Sequence, residues 1–504
     1  MSSGKNSGIL RICRSSRLLT IGFYLLFLFV SYDGNRDWDE NTYLARTAYL
    51  NVWDLDSWLM QSGRAAWEYD WYRAKISHLL LLDFFFALFG IGKSGLFCVS
   101  LMFALMMVAV GFWWERIIRS ITENDKYAKL SAILTLSTPV ALYLSYKALT
   151  ETTAIFFVVL SLYLFVSSWT AKNGWKFGLM ACSAISLLGG VTSRMEVITL
   201  FYAFGIGMLL YNPRQYRNII KKFVIFSIFF AIAGVLFFAI TGINPYTAAD
   251  NQQLSGCVRD YPYNVMNSLL AVGVLWPLII LGILNFKRPI LRLGASIYIL
   301  PTVALLIVLL TVAMRHQYMG ILGAGLIAAL GLERIKKLRL LGESCACSVV
   351  TVMAILAVNL FLMRTLGEVG LVGRELDSVL NIAKDVDSTI YLTDGPTNTF
   401  SYLRVAYPEL CCFPTSKGVV SDPQAVENID ELRNASQGKE ISYIFAYNKQ
   451  RSWLEKIVDR IKGRSPAEIR RGEMCWLASD PGIELSPVVS KGRYTIYHVN
   501  IIGE

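Results

Sequence analysis

The chain has 504 residues, of which 54% are hydrophobic, 13% aromatic and only 17% charged. Soluble domains carry about 25% charged residues, so the composition excludes disorder, collagen, a coiled coil and a disulfide-stapled mini-protein and points to a polytopic α-helical membrane protein. The net charge of +11 belongs to the membrane half: the first 364 residues hold 32 basic and 18 acidic residues, while residues 365–504 hold 16 and 19. Basic residues spread among loops do not make a nucleic-acid face. The partner they imply is the lipid bilayer.

A spanning helix needs about 20 apolar residues. Such runs lie near 18–32, 95–114, 130–146, 154–170, 176–191, 195–211, 223–241, 265–286, 294–314, 319–332 and 345–364. The basic start (Lys5, Arg11, Arg14, Arg17) and the lack of a small-residue cleavage site after the first run read as a retained signal-anchor. The stretch Ile76–Ile91 is also apolar but carries Asp83 and ends at Gly90 and Gly92. If it spanned, Arg214, Arg217, Lys221, Lys222, Lys287, Arg288 and Arg292 would all move to the outer side, against the positive-inside rule. It is therefore expected to be re-entrant or interfacial.

With the N-terminus inside, two large regions fall outside the cytoplasm. One is the 33–94 loop with interfacial helices, part of a transmembrane module over 1–364. The other is the tail, 365–504, which reads as a small extracytoplasmic α/β domain. "STIYLTDG", "ISYIFAYN" and "RYTIYHVN" are strand-like, and "RSWLEKIVDRIKG" is helical. No internal repeat or low-complexity tract is present. Of the nine cysteines, Cys257, Cys411, Cys412 and Cys475 fall on the outer side, where one bridge from Cys475 to the adjacent pair is as compatible with the sequence as free thiols. No zinc spacing exists, and the only histidines are His78, His316 and His498.

Five charged constellations stand out, taken in chain order. In "RDWDENTYLARTAYL" the acids Asp39 and Glu40 open a helix, with Tyr43 and Arg46 on the face of Asp39. They are ordinary helix-start residues or the paired acids of a site at the mouth of the bundle. In "YDWYRAKISHLLLLDFFFALFG" Lys75 begins the interfacial helix behind Trp67, Tyr69, Trp71 and Tyr72, which form either a membrane belt or the mouth of a sugar and lipid pocket. Lys147 and Glu151 sit in the outer turn of "YLSYKALTETTAIFF", Arg194 and Glu196 in that of "GGVTSRMEVITLF". Arg315, His316 and Tyr318 close an outer span end, as anchors or as a phosphate clamp. Charges at a membrane rim are costly and default to functional candidates. All of these fall on one side under a topology set by other residues. Nucleotide loops, a Walker lysine and a nucleophile elbow are missing.

The order of these features resembles the GT-C fold membrane glycosyltransferases, in the branch of protein O-mannosyltransferases and the lipid A aminoarabinose transferase. The resemblance covers roughly residues 18–340 and is most specific in "DENTYLARTAYL", which matches the family's Asp-Glu-x-x-Tyr segment. Lys75 matches its phosphate-contacting lysine, though the usual following proline is Ile76, and Glu151 stands where many members have aspartate. The resemblance implies an inverting transfer of a hexosyl or pentosyl group from a polyprenyl-phosphate-linked donor to an extracytoplasmic acceptor, a glycan, lipid or protein hydroxyl. Asp39, Glu40 and Glu151 would be catalytic, Asp39 as the base. Lys75 and Arg315 would bind the donor phosphate, and Tyr43, Tyr72, Lys147, Arg194, Glu196, His316 and Tyr318 the substrates. No cofactor is required; a divalent metal is conceivable at the acidic cluster but not indicated. Localisation would be a bacterial or archaeal cell membrane, with the endoplasmic reticulum as the other setting. The rival class is a transporter or flippase of a lipid-linked glycan, for which inverted repeats and broken helices are expected; the sequence shows neither. A glycan polymerase or ligase would carry its large outer loop late in the bundle.

Overall fold

The computed structural model describes residues 75–241, 261–285, 288–308, 314–337 and 353–362, five strands between 390 and 501, and the isolated residues 22, 43, 44, 47, 403 and 405–408. The first helix, α1 (Ile76–Phe89), has 14 residues, about 21 Å at 1.5 Å per residue. A bilayer core is about 30 Å thick, so α1 is too short to span it upright. Gly90 (φ +75°) and Gly92 (φ +118°) end it in the left-handed region that glycine adopts without a Cβ clash. Helix α2 (Lys93–Thr122) then runs well past the expected span end at 114. Asn124 starts α3 (Asp125–Leu136) by accepting the Lys126 and Tyr127 amides at 3.1 and 3.2 Å, an N-cap that satisfies orphan donors. Most of the expected loop 115–129 is therefore helix.

Two runs expected as continuous spans are broken. The 130–146 run divides into α3 and α4 (Pro139–Leu144), because Pro139 has no amide proton and Thr138 caps the new helix at 3.3 Å from the Ala141 amide. Helix α5 is Thr150–Ser167, α6 Asn173–Val191, α7 Ile198–Tyr211 and α8 Tyr216–Thr241. The 265–286 run divides into α9 (Tyr261–Val272), a 3-10 turn at Gly273–Leu275 and α10 (Trp276–Ile283). Helix α11 is Pro289–Val308, α12 Ile321–Lys337 and α13 Met353–Leu362. Asn359 of α13 joins the two breaks: its amide donates to the Ser137 carbonyl at 2.6 Å and its carbonyl oxygen accepts the Val274 amide at 3.1 Å. Gly273 has φ +60°, and a Cβ there would lie 2.4 Å from Asn359 Oδ1. The sequence expectation of unbroken helices is thus corrected: freed backbone groups are tolerated at membrane depth because a buried side chain pairs them.

Helix α5 packs along α6, α7 along α11, and α10 along α12. The last pair approaches closely, since a Cβ at Gly331 would fall 1.8 Å from the Leu278 carbonyl, the small-residue contact that membrane helices use. Among the described residues five helices are long and apolar enough to cross a membrane: Lys93–Thr122, Thr150–Ser167, Gly174–Val191, Pro213–Thr241 and Val265–Ile283. The Pro213–Thr241 segment buries little of its most apolar stretch and exposes Ile220, Val224, Ile228, Ile232 and Val235, an apolar surface that water would not tolerate but lipid does. The chain is a multi-pass membrane protein.

The tail carries a five-stranded sheet in the order β2-β1-β3-β5-β4, with β1 Ile390–Asp394, β2 Cys412–Pro414, β3 Ile441–Tyr447, β4 Ile483–Lys491 and β5 Tyr494–Ile501. The first strand is parallel to β2 and β3; β3–β5 and β5–β4 are antiparallel. The three strand-like runs read from sequence are β1, β3 and β5. Strand β4 was missed because Pro487 sits inside it, which is permitted at a sheet edge with a register shift between Pro487 and Val489. The expected helix at 451–463 lies outside the described residues, as do Cys257, Cys411 and Cys475; Cys98 and Cys182 are free thiols.

By packing, the chain forms two compact units. One comprises Met1–Phe29, Asp70–His78 and Leu101–Met363; the other comprises Val30–Tyr69, Leu79–Ser100 and Arg364–Glu504.

Candidate active site

In the first unit, one end of the helix bundle gathers charge around a single carboxylate. Glu151 lies in the first turn of α5 and is 1% exposed. The hairpin of α5 and α6 returns the chain to the same end, where a turn after Val191 presents Arg194 and a 3-10 turn presents Glu196. A second 3-10 segment, Met314–Met319, brings Arg315, His316 and Tyr318. The Arg194 guanidinium pairs directly with Glu151 Oε1. The same oxygen has Arg315 Nε at 3.4 Å and His316 Nε2 at 3.8 Å. The other oxygen accepts the Thr150 hydroxyl at 3.1 Å. Arg194 Nε also stands 3.3 Å from Glu196 Oε1.

Burial makes these pairings consequential, since a buried ion is tolerated only when paired. Removal from water works to deprotonate Arg194, but the Glu151 and Glu196 carboxylates more than reverse this and hold its proton affinity above the ordinary value. The His316 imidazole is pushed down to about 3, first by burial and then by the Arg194 charge, with Glu151 acting in the opposite sense. His316 is therefore neutral at physiological pH. Tyr318 is fully buried, and burial followed by the Glu196 charge raises its phenol well above the ordinary range. Its hydroxyl has no hydrogen-bond partner among the described residues.

The start of α1 supplies the remaining groups. Lys75 is buried and lies within electrostatic reach of both His78 and His316. His78 Nδ1 is 2.8 Å from the hydroxyl of Thr153, two residues beyond Glu151 in α5, and Ser77 is 2.6 Å from the Thr192 hydroxyl. These two bonds tie the start of α1 to α5 and to the end of α6. Gln317 is anchored by donating to Ser268 Oγ at 2.8 Å.

Of the residues singled out from sequence, the structure brings together Lys75, Glu151, Arg194, Glu196, Arg315, His316 and Tyr318. Lys147 is buried near them in sequence but spreads its ammonium over the Tyr143 ring, 4.0 Å from its centroid. Tyr43 belongs to the second unit, is 1% exposed, and its carbonyl accepts the Thr47 hydroxyl at 2.8 Å. Asp39, Glu40 and Tyr72 lie outside the described residues. Sequence reading missed His78 as a site-end group and Thr150 and Thr153 as its supports. The signal for His78 was present: it follows Lys75 by three residues, the spacing that shares a helix face. Among the described residues no three His, Cys, Asp or Glu side chains gather as a metal site needs.

By sequence, the chain matches no family model and no curated protein. Solved structures do match. The crystal structure of ArnT from Cupriavidus metallidurans bound to undecaprenyl phosphate superposes with a TM-score of 0.55 over 95% of this chain and 97% of that one, at 14% identity. The same enzyme in the apo state gives 0.56 over the same shares, at 13% identity. The fold is that of the GT-C membrane glycosyltransferases. A GT-C fold of this completeness, reached at so low an identity, is set by helix packing and order rather than by shared side chains.

The neutral, largely shielded His316, its side chain 15% exposed, makes the protein acid-sensitive in a defined window. Unfolded histidine titrates near 6.5 and native His316 near 3, so between these values the unfolded state binds more protons and stability falls as pH falls. His316→Gln is expected to flatten the fall of thermal stability between about pH 6.5 and 4, measured by denaturation in detergent. Identical slopes in the two proteins would show that His316 does not contribute.

Proposed function

We propose that the protein transfers a sugar from a polyprenyl-phosphate carrier to an acceptor outside the cytoplasm, with inversion. The observation that carries this reading is the group of Lys75, Arg194 and Arg315 at one end of a GT-C bundle, balanced by the two carboxylates of Glu151 and Glu196. Three cations against two anions leave one positive charge. A polyprenyl phosphate sugar is a phosphodiester with one negative charge, and the carrier gains a second as the glycosidic bond breaks. A preorganised surplus of positive charge in a poorly solvated site stabilises that developing anion. The ArnT structure containing undecaprenyl phosphate supports a carrier of this class.

Glu151 suits the role of a positioning residue. Its Oε1 already faces two guanidinium groups, so it is a poor proton acceptor and a good organiser of Arg194 and Arg315. The base is then Asp39, at the start of the loop after the first apolar run. The acceptor hydroxyl attacks the anomeric carbon, its proton passes to the carboxylate, and the carrier phosphate leaves on the opposite face. Asp39→Asn preserves shape and capping ability but cannot take a proton, and should lower turnover by about 10²–10⁴-fold with unchanged donor binding. The primary test is incubation of the purified protein with polyprenyl phosphate sugars, following loss of sugar with and without glycan, lipid and peptide acceptors. Absence of transfer from every such donor, with carrier binding intact, would favour a flippase.

A further inference from the structure

The opposite end of the same unit holds a cavity that the proposed reaction does not use. It measures about 470 Å³ and is lined by Phe112, Trp113, Glu115, Arg116, Arg119 and Tyr163. The lining is graded along α2: aromatic residues come first, and the two arginines follow one turn and two turns later. Trp113 stacks on Tyr163 at 6.5 Å with the rings 13° apart, and rests on Phe156 at 5.0 Å. These rings form one fixed wall.

The charges are arranged asymmetrically. Glu115 is 3% exposed and pairs with Arg119, whose guanidinium also reaches Asp125 at 2.7 Å. Arg119 is thus held in place by two carboxylates. Arg116 is exposed, lines the same cavity, and makes no hydrogen bond or ion pair among the described residues. Two arginines and one glutamate give the lining a single net positive charge, carried in effect by Arg116.

We propose that this cavity seats the headgroup of a monoanionic phospholipid, with Arg116 binding the phosphodiester and the Trp113–Tyr163 wall holding the glycerol region beneath it. The chemistry fits in three respects. A guanidinium binds phosphate oxygens through parallel hydrogen bonds. Tryptophan and tyrosine place an amphipathic ring at headgroup depth. A basic pocket between membrane helices is the standard means of holding an anionic headgroup. One net charge matches a phosphatidylglycerol-type lipid; a zwitterionic lipid of the same shape would bring its own ammonium against Arg119.

The test uses the full-length protein in detergent, titrated with phosphatidylglycerol or phosphatidylcholine, with retained lipid counted by native mass spectrometry. The wild type should retain phosphatidylglycerol about tenfold more tightly than phosphatidylcholine. Arg116→Glu should remove that preference, and Arg116→Lys should keep part of it. Arg116 is exposed, so neither substitution threatens the fold. Equal retention of the two lipids by the wild type would overturn the proposal, as would undiminished phosphatidylglycerol retention by Arg116→Glu. Displacement of the lipid by millimolar inorganic phosphate would show a free-anion site and would also overturn it.

Discussion

Glu151→Gln is expected to abolish sugar transfer and to weaken the fold together. The substitution keeps the size of the side chain and removes its charge, so the largely shielded Arg194 and Arg315 are left beside a buried neutral amide. Breaking a buried ion pair by removing one partner costs about 3–5 kcal/mol. The two guanidinium groups would then repel each other, and the geometry that receives the carrier phosphate would be lost, lowering transfer by about 10²-fold or more. Glu151→Asp retains the charge on a shorter stem and should recover most of the stability and part of the activity. Thermal denaturation and turnover, measured on the same detergent preparation, check both parts. A glutamine variant with wild-type stability and turnover would remove Glu151 from the centre of this site.

Arg315→Ala should weaken binding of polyprenyl phosphate, even without a sugar, by about 10–100-fold, the worth of a charge-assisted hydrogen bond of about 1.5–3 kcal/mol. Arg315→Lys should rescue little of it. Lysine offers a point charge where arginine spans two partners at once, and Arg315 already directs Nε toward Glu151 at 3.4 Å. Carrier binding is the decisive readout because it separates phosphate recognition from chemistry. If Arg315→Ala binds the carrier as tightly as the wild type, Arg315 serves only to hold Glu151, and Lys75 becomes the leading phosphate ligand.

The two expected effects are coupled. Glu151 and Arg315 share one ion-paired cluster, so the double substitution should cost less stability than the sum of the two single ones, with a coupling of about 0.5–3 kcal/mol.

Much of this protein was legible along the chain. Apolar runs and the scarcity of charge marked a multi-pass membrane protein, because bilayer thickness acts on local stretches of sequence. Enrichment in β-branched and aromatic residues marked β1, β3 and β5, and the glycines at 90 and 92 marked the end of α1. The rim charges at Glu151, Arg194 and Arg315 could be picked out because a charge beside a membrane span is conspicuous wherever it stands.

Their pairing was not legible. Glu151 and Arg315 are separated by 164 positions, and no local pattern says that Arg194 and Arg315 meet on one oxygen of Glu151. Only the packing of α5 against α6, and of the Met314–Met319 segment against α5, decides it. The same holds for the breaks at Pro139 and Gly273. A proline and a glycine in apolar runs are weak signals singly, and it is Asn359, distant in sequence, that satisfies the freed backbone groups of both. Local composition determined that this chain crosses the membrane several times and which of its residues are charged. The tertiary structure determined which charges neutralise one another, because a buried ion's energy depends on partners within a few ångströms, whatever their distance along the chain.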